Sequence, residues 1–557
     1  MTRRSHPGQT AGGRAVRRIA AIAFALTLSA CARETGPAKS DNDAPVGGTI
    51  VISAAADADA LLPPLILSLQ GKQIVDQMFD NLADIGPRLN TVGDAGFTPH
   101  LANSWRWSPD SLAVDFKIDP RARWHDGVPV RAEDVRFTFG LVKDPALGSP
   151  LSGNLDNVDS VSLPDSMTAR VWFHRRTPDQ FFKAATPVAI LPAHLLGKLK
   201  PAELRASQFA QHPIGSGRFR FSEWVRGARI VLTADSTNYR GRPKADRVIW
   251  LISAEYPAAA LRLMGGEADF LDLVKPEYVA QLRAKGDKIV TTDGSLDYGY
   301  AAFNLGDATK GNKRTIFADR NVRRALTMAV DREALVRSVF DTLALVAHGP
   351  ATRVLTTSDT TIGLPYDTAR AGAMLDSIGW KRGVNGMRRK GGAPLAFALM
   401  VPGSSAIRSR LAVLLQEQWR RAGAAVRIES IDVNTFGERL DGRKFDAVLN
   451  AWHIDPTPSS VREEWGSSEI RKGGYNATSY SNPAFDAVVD SAVREMDPAQ
   501  SAALYRRAYG ILTEDAAAMW IYELRNVHGV SPRISPVGIR ADAWWANLAD
   551  WSVNQNR

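Results

Sequence analysis

Short apolar runs alternate with amphipathic stretches along most of the chain, a pattern that is typical of an α/β protein. Residues 48–53 form an apolar run that predicts a buried strand. Residues 113–118 alternate apolar and polar side chains, as a half-buried strand does. Residues 130–135 predict the start of a helix, because two acids fall in its first turn, where the helix dipole favours negative charge.

The second half of the chain repeats this alternation more regularly. Residues 321–332 place apolar side chains at positions i, i+3, i+4 and i+7, which predicts one amphipathic helix. The other predicted helices cover residues 367–380, 408–422 and 501–512, and the predicted strands cover residues 395–400, 426–431, 447–449 and 519–522. This half is therefore predicted to be an α/β domain.

Residues 445–465 (FDAVLNAWHIDPTPSSVREEW) combine an apolar strand, an aromatic side chain and a loop with an acid. A residue before proline is held in an extended conformation, so Asp455 is predicted to lie just past the strand with its carboxylate facing a cleft. The neighbouring Trp452 would supply an apolar wall, and such a pair suits a ligand with an apolar body and a cationic end. The alternative is an ordinary turn, because Asp-Pro commonly opens one.

The first thirty residues are predicted to be a signal peptide. They contain five arginines and no acid, followed by the apolar run 19–28, which is too short to span a bilayer as a mature helix. The sequence Leu28-Ser29-Ala30-Cys31 resembles a bacterial lipoprotein processing box, in which the cysteine is diacylated. Cys31 is the only cysteine of the chain, so an internal disulfide is impossible. A plain secretory signal is the alternative, and residues 31–46 are predicted to be a flexible tether.

Composition and charge exclude some classes of protein. The chain has 557 residues, of which 45% are hydrophobic and 23% charged, an ordinary globular profile with room for two to four domains. The formal charge of +10 falls to +5 when the five arginines of residues 1–30 are removed. Such a mild excess does not indicate a nucleic-acid partner. No further apolar stretch of eighteen residues occurs, so no transmembrane helix is predicted.

Several segments resemble one family in order along the chain. They are 101–105 (LANSW), 116–118, 124–127 (WHDG), 132–138 (AEDVRFT), 190–196, 300–304, 321–332 and 474–486. On these residues the chain is identified as similar to the extracellular solute-binding proteins of family 5, which serve ATP-driven (ABC) importers of oligopeptides, dipeptides, nickel complexes and some sugars. The resemblance extends from about Gly47 to the C-terminus.

The resemblance implies an α/β, periplasmic-binding-protein-like fold of type II, in the large three-lobed "cluster C" architecture, with two lobes that close on a ligand about a hinge. Residues 47–76, 208–304 and 525–557 would form domain I, residues 77–207 the inserted domain II, and residues 305–524 domain III. It also implies a periplasmic or cell-surface lipoprotein, expected to be a monomer, that delivers peptides to a permease with separate ATPases. No catalysis, cofactor or metal is expected, and the chain has no Walker A motif.

The family resemblance also implies the site. In peptide-binding members an aromatic residue is followed three positions later by an Asp that holds the peptide ammonium, and Trp452 and Asp455 match this spacing. His453, Tyr475 and Arg218 complete the predicted ligand-binding set. A carboxylate-binding arginine cannot be chosen by motif, and Arg218, Arg353 and Arg408 are the candidates. The loop departs from the family in one respect, because it carries one acid where peptide binders often have two or three.

Other readings of the sequence remain open. The same fold could bind a nickel chelate, a sugar or another small solute. An extracytoplasmic hydrolase is a different class, but no GxSxG, HExxH or Cys-His arrangement occurs. A lipoprotein that senses ligands or aids folding is a third class. His125 is predicted to be a turn residue, and the loop Gly215-Ser216-Gly217 is not predicted to bind phosphate, because a strand and not a helix follows it.

Overall fold

The computed structural model describes residues 46–306 and 315–554. Within them, the strands are β1 Thr49–Ala54, β2 Ala83–Asp84, β3 Thr98–Pro99, β4 Ala102–Trp107, β5 Ala113–Ile118, β6 Val158–Asp165, β7 Thr168–Phe173, β8 Phe219–Val225, β9 Arg229–Ala234, β10 Arg247–Ile252, β11 Phe270–Leu271, β12 Lys288–Thr291, β13 Asp297–Phe303, β14 Ala344–Val346, β15 Lys381–Arg382, β16 Arg388–Lys390, β17 Ala393–Pro394, β18 Ala396–Pro402, β19 Ala425–Ile431, β20 Ala447–His453, β21 Ala518–Leu524, β22 Val527–Val530, β23 Ile534–Ser535 and β24 Ser552–Val553.

The α-helices of the same residues alternate with these strands. They are α1 Leu69–Met78, α2 Ala132–Lys143, α3 Gln180–Ala185, α4 Ala193–Leu196, α5 Gln208–Gln211, α6 Tyr256–Met264, α7 Pro276–Ala284, α8 Arg320–Met328, α9 Arg332–Phe340, α10 Thr368–Ser377, α11 Ala406–Ala422, α12 Val433–Asp441, α13 Ser460–Trp465, α14 Pro483–Ala492 and α15 Pro498–Glu514.

The first large sheet has seven strands, in the order β12-β22-β11-β1-β10-β9-β8. Strand β1 lies parallel to β10 and β11, and the other pairs are antiparallel. The C-terminal tryptophans pack on this sheet, and the rings of Trp544 and Trp551 lie 4.6 and 5.0 Å from that of Phe270. The sheet is thus assembled from segments near both ends of the described chain.

A smaller antiparallel sheet, in the order β4-β5-β7-β6, occupies the segment between β1 and β8. The turn at Gly127 precedes α2, and His125 in this turn joins the small sheet region to the seven-stranded one. Its Nδ1 accepts from the Gly215 amide at 3.1 Å, and its Nε2 lies 2.9 Å from the Gly217 carbonyl. A Cβ on Gly215 would lie 1.7 Å from the carbonyl oxygen of Met78, so only glycine fits in this loop.

The second large sheet has six strands, in the order β14-β21-β13-β20-β18-β19. Strands β18, β19 and β20 are parallel, whereas β13 is antiparallel to both β20 and β21. Alternate residues of β13 enter different cores: Tyr298 and Tyr300 pack against Trp520, and Ala301 and Phe303 face the helices α8 and α9. The sheet is therefore buried on both faces, as parallel strands usually are.

Two neighbouring connections join the two large sheets. One runs from β12 to β13 and the other from β21 to β22. They are hydrogen-bonded to each other, since the Thr292 amide donates to the Asn526 carbonyl at 3.0 Å and the Asn526 amide donates to the Thr292 hydroxyl at 2.9 Å. Arg525 adds a bond from its guanidinium to the Thr292 carbonyl at 3.2 Å. Adjacent paired crossings of this kind form a hinge.

Most predicted elements are confirmed, with one correction. The helix predicted over residues 321–332 is two helices, because α8 ends at Met328 and α9 begins at Arg332. The Asp331 carboxylate accepts from the Ala334 amide and caps α9, while the Met328 carbonyl accepts from the Asp367 amide beside α10. The prediction was wrong because the apolar spacing continues past Met328, whereas the cap at Asp331 starts a new helix there.

Candidate ligand-binding site

The predicted site lies at the carboxyl end of β20. The chain runs β18, α11, β19, α12, β20, but β20 lies on the opposite side of β18 from β19. The order of the strands therefore reverses between β18 and β20. In α/β sheets, ligands bind outside the carboxyl ends of the strands at such a reversal. Asp455 stands two residues beyond the end of β20, at this position.

Two aromatic side chains flank this position. Trp452 is half-buried on β20, and its ring meets that of Tyr475 edge-on at 5.6 Å. Tyr475 is 60% exposed, and its loop is held by the next residue, the fully buried Asn476. The Asn476 amide donates to the carbonyls of Trp465, Gly466 and Tyr480 at 2.9–3.2 Å. The two rings therefore form a fixed and partly open apolar wall.

Asp455 itself is exposed, and within the described part of the chain its carboxylate has no hydrogen bond or salt bridge. The next residue, Pro456, keeps it outside the helical region, as the sequence predicts. A carboxylate with no protein partner at the end of a buried strand is available to a cation from outside.

His453 adjoins this carboxylate and is held by a residue that the sequence did not indicate. Asp297, the first residue of β13, stands opposite His453 in the register of the two strands. The His453 Nδ1 lies 3.0 Å from the Asp297 carboxylate. The hydrogen bond to Asp297 raises the pKa of His453, and the charges of Asp297 and Asp455 add to this effect against partial burial.

A further acid, Glu463 of α13, lies close enough to Asp455 for their charges to interact. Burial raises the pKa of Glu463, the charge of Lys183 on α3 opposes the rise, and Glu469 and Asp455 increase it. The loop carries a single acid, whereas the structure places Asp297 beside the neighbouring His453 and Glu463 within reach of the charge of Asp455.

Behind the site lies a buried carboxyl group, that of Glu464. The Tyr298 hydroxyl donates to it at 2.6 Å, and burial raises its pKa to about 7. Its second oxygen has no hydrogen-bond partner among the described residues. Tyr300 and Asn450 lie on the same face of the sheet, with their side chains 3.5 Å apart. This cluster supports the face of the sheet from which Trp452 projects.

The three candidate arginines differ in what they contact. Arg218 donates to the Asp550 carboxylate at 2.8 Å and to the carbonyls of Gly241 and Arg242 at 3.2 and 3.1 Å. Arg353 donates to the buried carboxylate of Glu523 at 3.0 Å. Both guanidinium groups are therefore used within the protein.

Arg408 is different. It stands in the first turn of α11, at the same edge of the sheet as Asp455, and has no carboxylate partner within residues 46–306 and 315–554. Its Nε is buried and has no hydrogen-bond partner there. Burial raises the pKa of the neighbouring Tyr522, and the Arg408 charge opposes that rise. A cation is unfavourable at a helix N-terminus, so this placement favours an external anion.

The structure thus brings Trp452, His453, Asp455 and Tyr475 together, and it gives Arg218 contacts with a separate group of residues. Sequence reasoning missed Asp297, Glu463 and Glu464. The two glutamates stand within the segment 445–465, so their distance from Asp455 along the chain was a usable signal. Asp297 gave no signal, because its partner is 156 residues away.

The described residues contain no group of three or more His, Cys, Asp or Glu side chains that could hold a metal ion. Among the same residues, no helix is both long and apolar enough to cross a membrane. The predicted signal peptide, the lipidation site Cys31 and the tether lie outside the described residues.

The fold and the site together define a class of protein. Two α/β regions joined by a paired hinge, with an unpaired carboxylate at the strand-order reversal of one region, form a periplasmic-binding-protein-like fold of type II in the large three-lobed architecture. Residues 96–472, about two thirds of the chain, match the family described as bacterial extracellular solute-binding proteins, family 5, middle, and the chain belongs to this family.

Individual relatives agree with this assignment. The chain is 28% identical over 521 residues to the oligopeptide-binding protein AppA of Bacillus subtilis, covering 91% of this chain and 92% of that protein. The structure of AppA with a nonapeptide is similar at a TM-score of 0.69 and 26% identity, over 92% of this chain and all of that one. NikZ from Campylobacter jejuni in complex with Ni(L-His) is 23% identical at a TM-score of 0.69, over 90% and 99% of the two chains, and supports the fold alone.

Proposed function

We propose that this chain is the peptide-binding component of an ABC importer, capturing peptides by closure of two lobes and delivering them to a permease with separate ATPases. Domain I and domain III, with the boundaries given above, would be the closing lobes, and domain II an inserted lobe. The protein would act as a monomer, without catalysis, anchored by a lipid on Cys31 at the periplasmic or outer face of the envelope. The unpaired carboxylate of Asp455 beside Trp452 is the observation that carries this proposal.

Asp455 is the proposed partner for the cationic end of the ligand. A charge-assisted hydrogen bond in a cleft that excludes water is roughly twice as strong as a neutral one. Trp452 and Tyr475 would cover the apolar part of the ligand next to its ammonium. The peptide backbone would pair with strand edges, which gives affinity with little dependence on the side chains of the ligand.

Arg408 is the proposed partner for an anionic group of the ligand, such as a carboxylate. Arg218 and Arg353 are held by Asp550 and Glu523, whereas Arg408 has no carboxylate partner in the described part of the chain. Arg408 and Asp455 both stand at the carboxyl edge of the six-stranded sheet. Two opposite charges at one edge suit a ligand that carries both.

The substrate class is tested by mass spectrometry of the protein purified under native conditions. A ladder of masses spaced by amino-acid residues is the expected result. A single mass with a nickel isotope pattern, or a sugar mass, would replace the peptide by that solute while retaining the binding function. Cleavage of oligoalanines that are incubated with the purified protein would indicate a hydrolase and overturn the proposal.

The role of Asp455 is tested by calorimetry with Asp455→Asn. One charge-assisted bond is worth about 1.5–3 kcal/mol, so the affinity for peptides with a free amino terminus should fall about tenfold to a hundredfold. N-acetylated peptides lack the charge and should bind both proteins equally. Asp441→Asn, an exposed acid at the end of α12, is the matched control and should bind as the parent does. Equal affinity of Asp455→Asn and the parent for free peptides would refute the role.

The role of Arg408 is tested in the same way with Arg408→Gln. Its affinity should fall about tenfold for peptides with a free carboxyl terminus and stay unchanged for C-terminal amides. Arg410→Gln is the control, because Arg410 is exposed and donates to the Ser338 carbonyl at 3.1 Å. A loss that is equal for carboxylates and amides would show that Arg408 supports the fold instead.

The lipid anchor is tested by metabolic labelling with a radioactive fatty acid. The parent chain should take up label and sediment with membranes, and Cys31→Ala should take up none. Because Cys31 is the only cysteine, the variant has no second site that could accept the lipid. Export of an unlabelled parent chain into the soluble fraction would replace the anchor by a plain secretory signal.

A further inference from the structure

The Asp297–His453 pair is part of the same edge of the sheet as Asp455 and has no role in the function proposed above. The pair is fixed by the strand register, since Asp297 and His453 stand opposite each other at the ends of β13 and β20. Its hydrogen bond is 3.0 Å long, and about two thirds of the imidazole is exposed. A geometry set by a strand pair keeps the imidazole beside the Asp297 carboxylate whether or not a ligand is present.

The charges around His453 favour a cation at this place in the ligand-free protein. Asp297 from β13 and Asp455 from the loop after β20 are the charged groups that act on the imidazole. Burial and the charges of Glu469 and Asp455 raise the pKa of Glu463 on α13, and the charge of Lys183 on α3 opposes that rise. Two carboxylates, Asp297 and Asp455, thus act on one imidazole, and like charges repel unless a cation lies between them. Both carboxylates that act on His453 raise its pKa, which favours the imidazolium.

We propose that the imidazolium of His453 is the resident counter-cation of Asp297 and Asp455, and that a ligand's cationic group replaces its charge, so that ligand capture releases a proton. This inference rests on the proposed function, because it requires a ligand with a cationic end at Asp455. It adds that the positive charge of the His453 imidazolium is replaced by that of the ligand ammonium. His453 and Asp297 are then positioning residues that determine how ligand affinity depends on pH.

The exchange balances in atoms and charge. In the ligand-free state both ring nitrogens of His453 carry a proton, and Nδ1–H donates to Asp297. When the ligand ammonium reaches Asp455, two cations would share one site, and the imidazolium becomes unfavourable. The proton leaves from Nε2 to the solvent, because Nδ1–H is held by Asp297. The neutral ring keeps its bond to Asp297 and therefore its position.

The direction of the pH effect follows from this exchange. The ligand competes with a proton for the same negative charge, so affinity is lowest where His453 is protonated in the ligand-free protein. Affinity should rise as the pH increases through the raised pKa of His453, that is, above the ordinary value of 6.5. One linked proton gives at most a tenfold change per pH unit, and partial exposure screens the charges. We expect a rise of about threefold to tenfold between pH 5.5 and pH 7.5, a range in which the peptide keeps its ammonium because the pKa of an α-amino group is about 7.7–8.0.

The first measurement needs no ligand. The imidazole of His453 is titrated by NMR in the purified, processed chain, with the signal assigned by its loss in His453→Gln. Asp297→Asn should move the titration of His453 to lower pH. An unchanged titration in Asp297→Asn would overturn the proposal, because the pair would then not stabilise the imidazolium.

The second measurement counts protons. Oligoalanines of two to nine residues are titrated into the protein by calorimetry at pH 7 in phosphate and in Tris, whose ionisation enthalpies differ. The parent should release a fraction of a proton per peptide bound, whereas His453→Gln should release none. N-acetylated oligoalanines carry no cation and should release none from either protein. Release that persists in His453→Gln would assign the proton to another group and overturn the proposal.

A matched control separates this site from other histidine–carboxylate pairs. His174 lies 3.5 Å from Asp159 on the small sheet and is about as exposed as His453. His174→Gln should keep the proton release and the pH profile of the parent. If oligoalanines bind with a pH-independent affinity, the further inference fails and the peptide function stands. If none binds at any pH, the proposed function fails and the inference fails with it.

Discussion

Two groups of carboxylates in this protein differ in whether arginines of the same chain pair with them. One lies between the end of α1 and the C-terminal segment, where Asp80 and Asp84 are paired. The Tyr239 hydroxyl and the Arg240 guanidinium both donate to Asp80, which is buried. Arg540 bridges Asp84 and Asp542. Every acid in this group has a cation from the same chain.

The other group lies at the carboxyl end of β20, where Asp455 is exposed and has no hydrogen bond or salt bridge within the described chain, although its charge acts on the neighbouring His453. A buried charge must be paired by the protein itself, because water cannot solvate it. A carboxylate at a sheet edge can stay unpaired until a ligand arrives. Pairing within the chain therefore separates acids that stabilise the fold from acids that are proposed to bind a ligand. The arginines differ in the same way, since Arg218 is paired with Asp550 and Arg408 has no carboxylate partner in the described chain.

The largest expected effect concerns the paired group. Asp80→Ala leaves the Arg240 guanidinium without its carboxylate, and breaking such a buried pair costs about 3–5 kcal/mol of the free energy of unfolding. Urea unfolding measures the loss. Glu223→Ala is the control, because the Glu223–Arg229 pair is exposed and screened by solvent, so its removal should change the free energy of unfolding far less. Equal losses for the two variants would contradict the division between the groups.

The next effect concerns Glu464, which is buried like the first group and has no salt bridge within the described residues. Its pKa rises from 4.5 to about 7, so the folded state binds the proton more tightly than the unfolded state. The stabilisation by this proton is complete below pH 4.5 and is lost as the pH rises to about 7.

We therefore expect wild-type stability to fall by about 3 kcal/mol more than that of Glu464→Gln between pH 4.5 and pH 8. Urea unfolding at the two pH values gives this difference. Glu438→Gln, an exposed glutamate of α12, should follow the wild type at both values. A Glu464→Gln variant with the same pH dependence as the wild type would show that Glu464 titrates normally.

A smaller effect is expected at Arg218. Arg218→Gln loses the bond to Asp550 and the bonds to two carbonyls, so the free energy of unfolding should fall by about 1–2 kcal/mol. Peptide affinity should stay within about twofold of the parent, since the guanidinium is used within the protein. A large loss of affinity with unchanged stability would instead place Arg218 in the ligand site, as the sequence predicted.

The smallest effect on stability is expected at Asp455. Asp455→Asn removes a carboxylate that has no partner in the described chain, so the free energy of unfolding should change by less than about 0.5 kcal/mol. Thermal unfolding without ligand measures it. A destabilisation comparable to that of Asp80→Ala would mean that Asp455 holds the loop, and the comparison between the two groups would break down.

Much of the fold was predictable because its signals are local. The strand over residues 113–118 follows from the alternation of apolar and polar side chains. The end of the helix at Gly423 follows from the left-handed backbone conformation, which glycine adopts easily. The error at residues 329–331 is also local in origin, since apolar spacing alone does not show where Asp331 starts a new helix. Periodicity reports which side chains are buried and does not report where a helix is capped.

The sequence by itself determined the α/β alternation, the family resemblance and the position of Trp452 and Asp455 just past a strand. These depend on residues close together in the chain. Only the tertiary structure decided that Asp297 stands beside His453, and that Arg408 and not Arg218 lacks a carboxylate partner among the described residues. The physical reason is that charge pairing depends on which distant strands and helices meet, and strand register is set by the packing of the whole sheet.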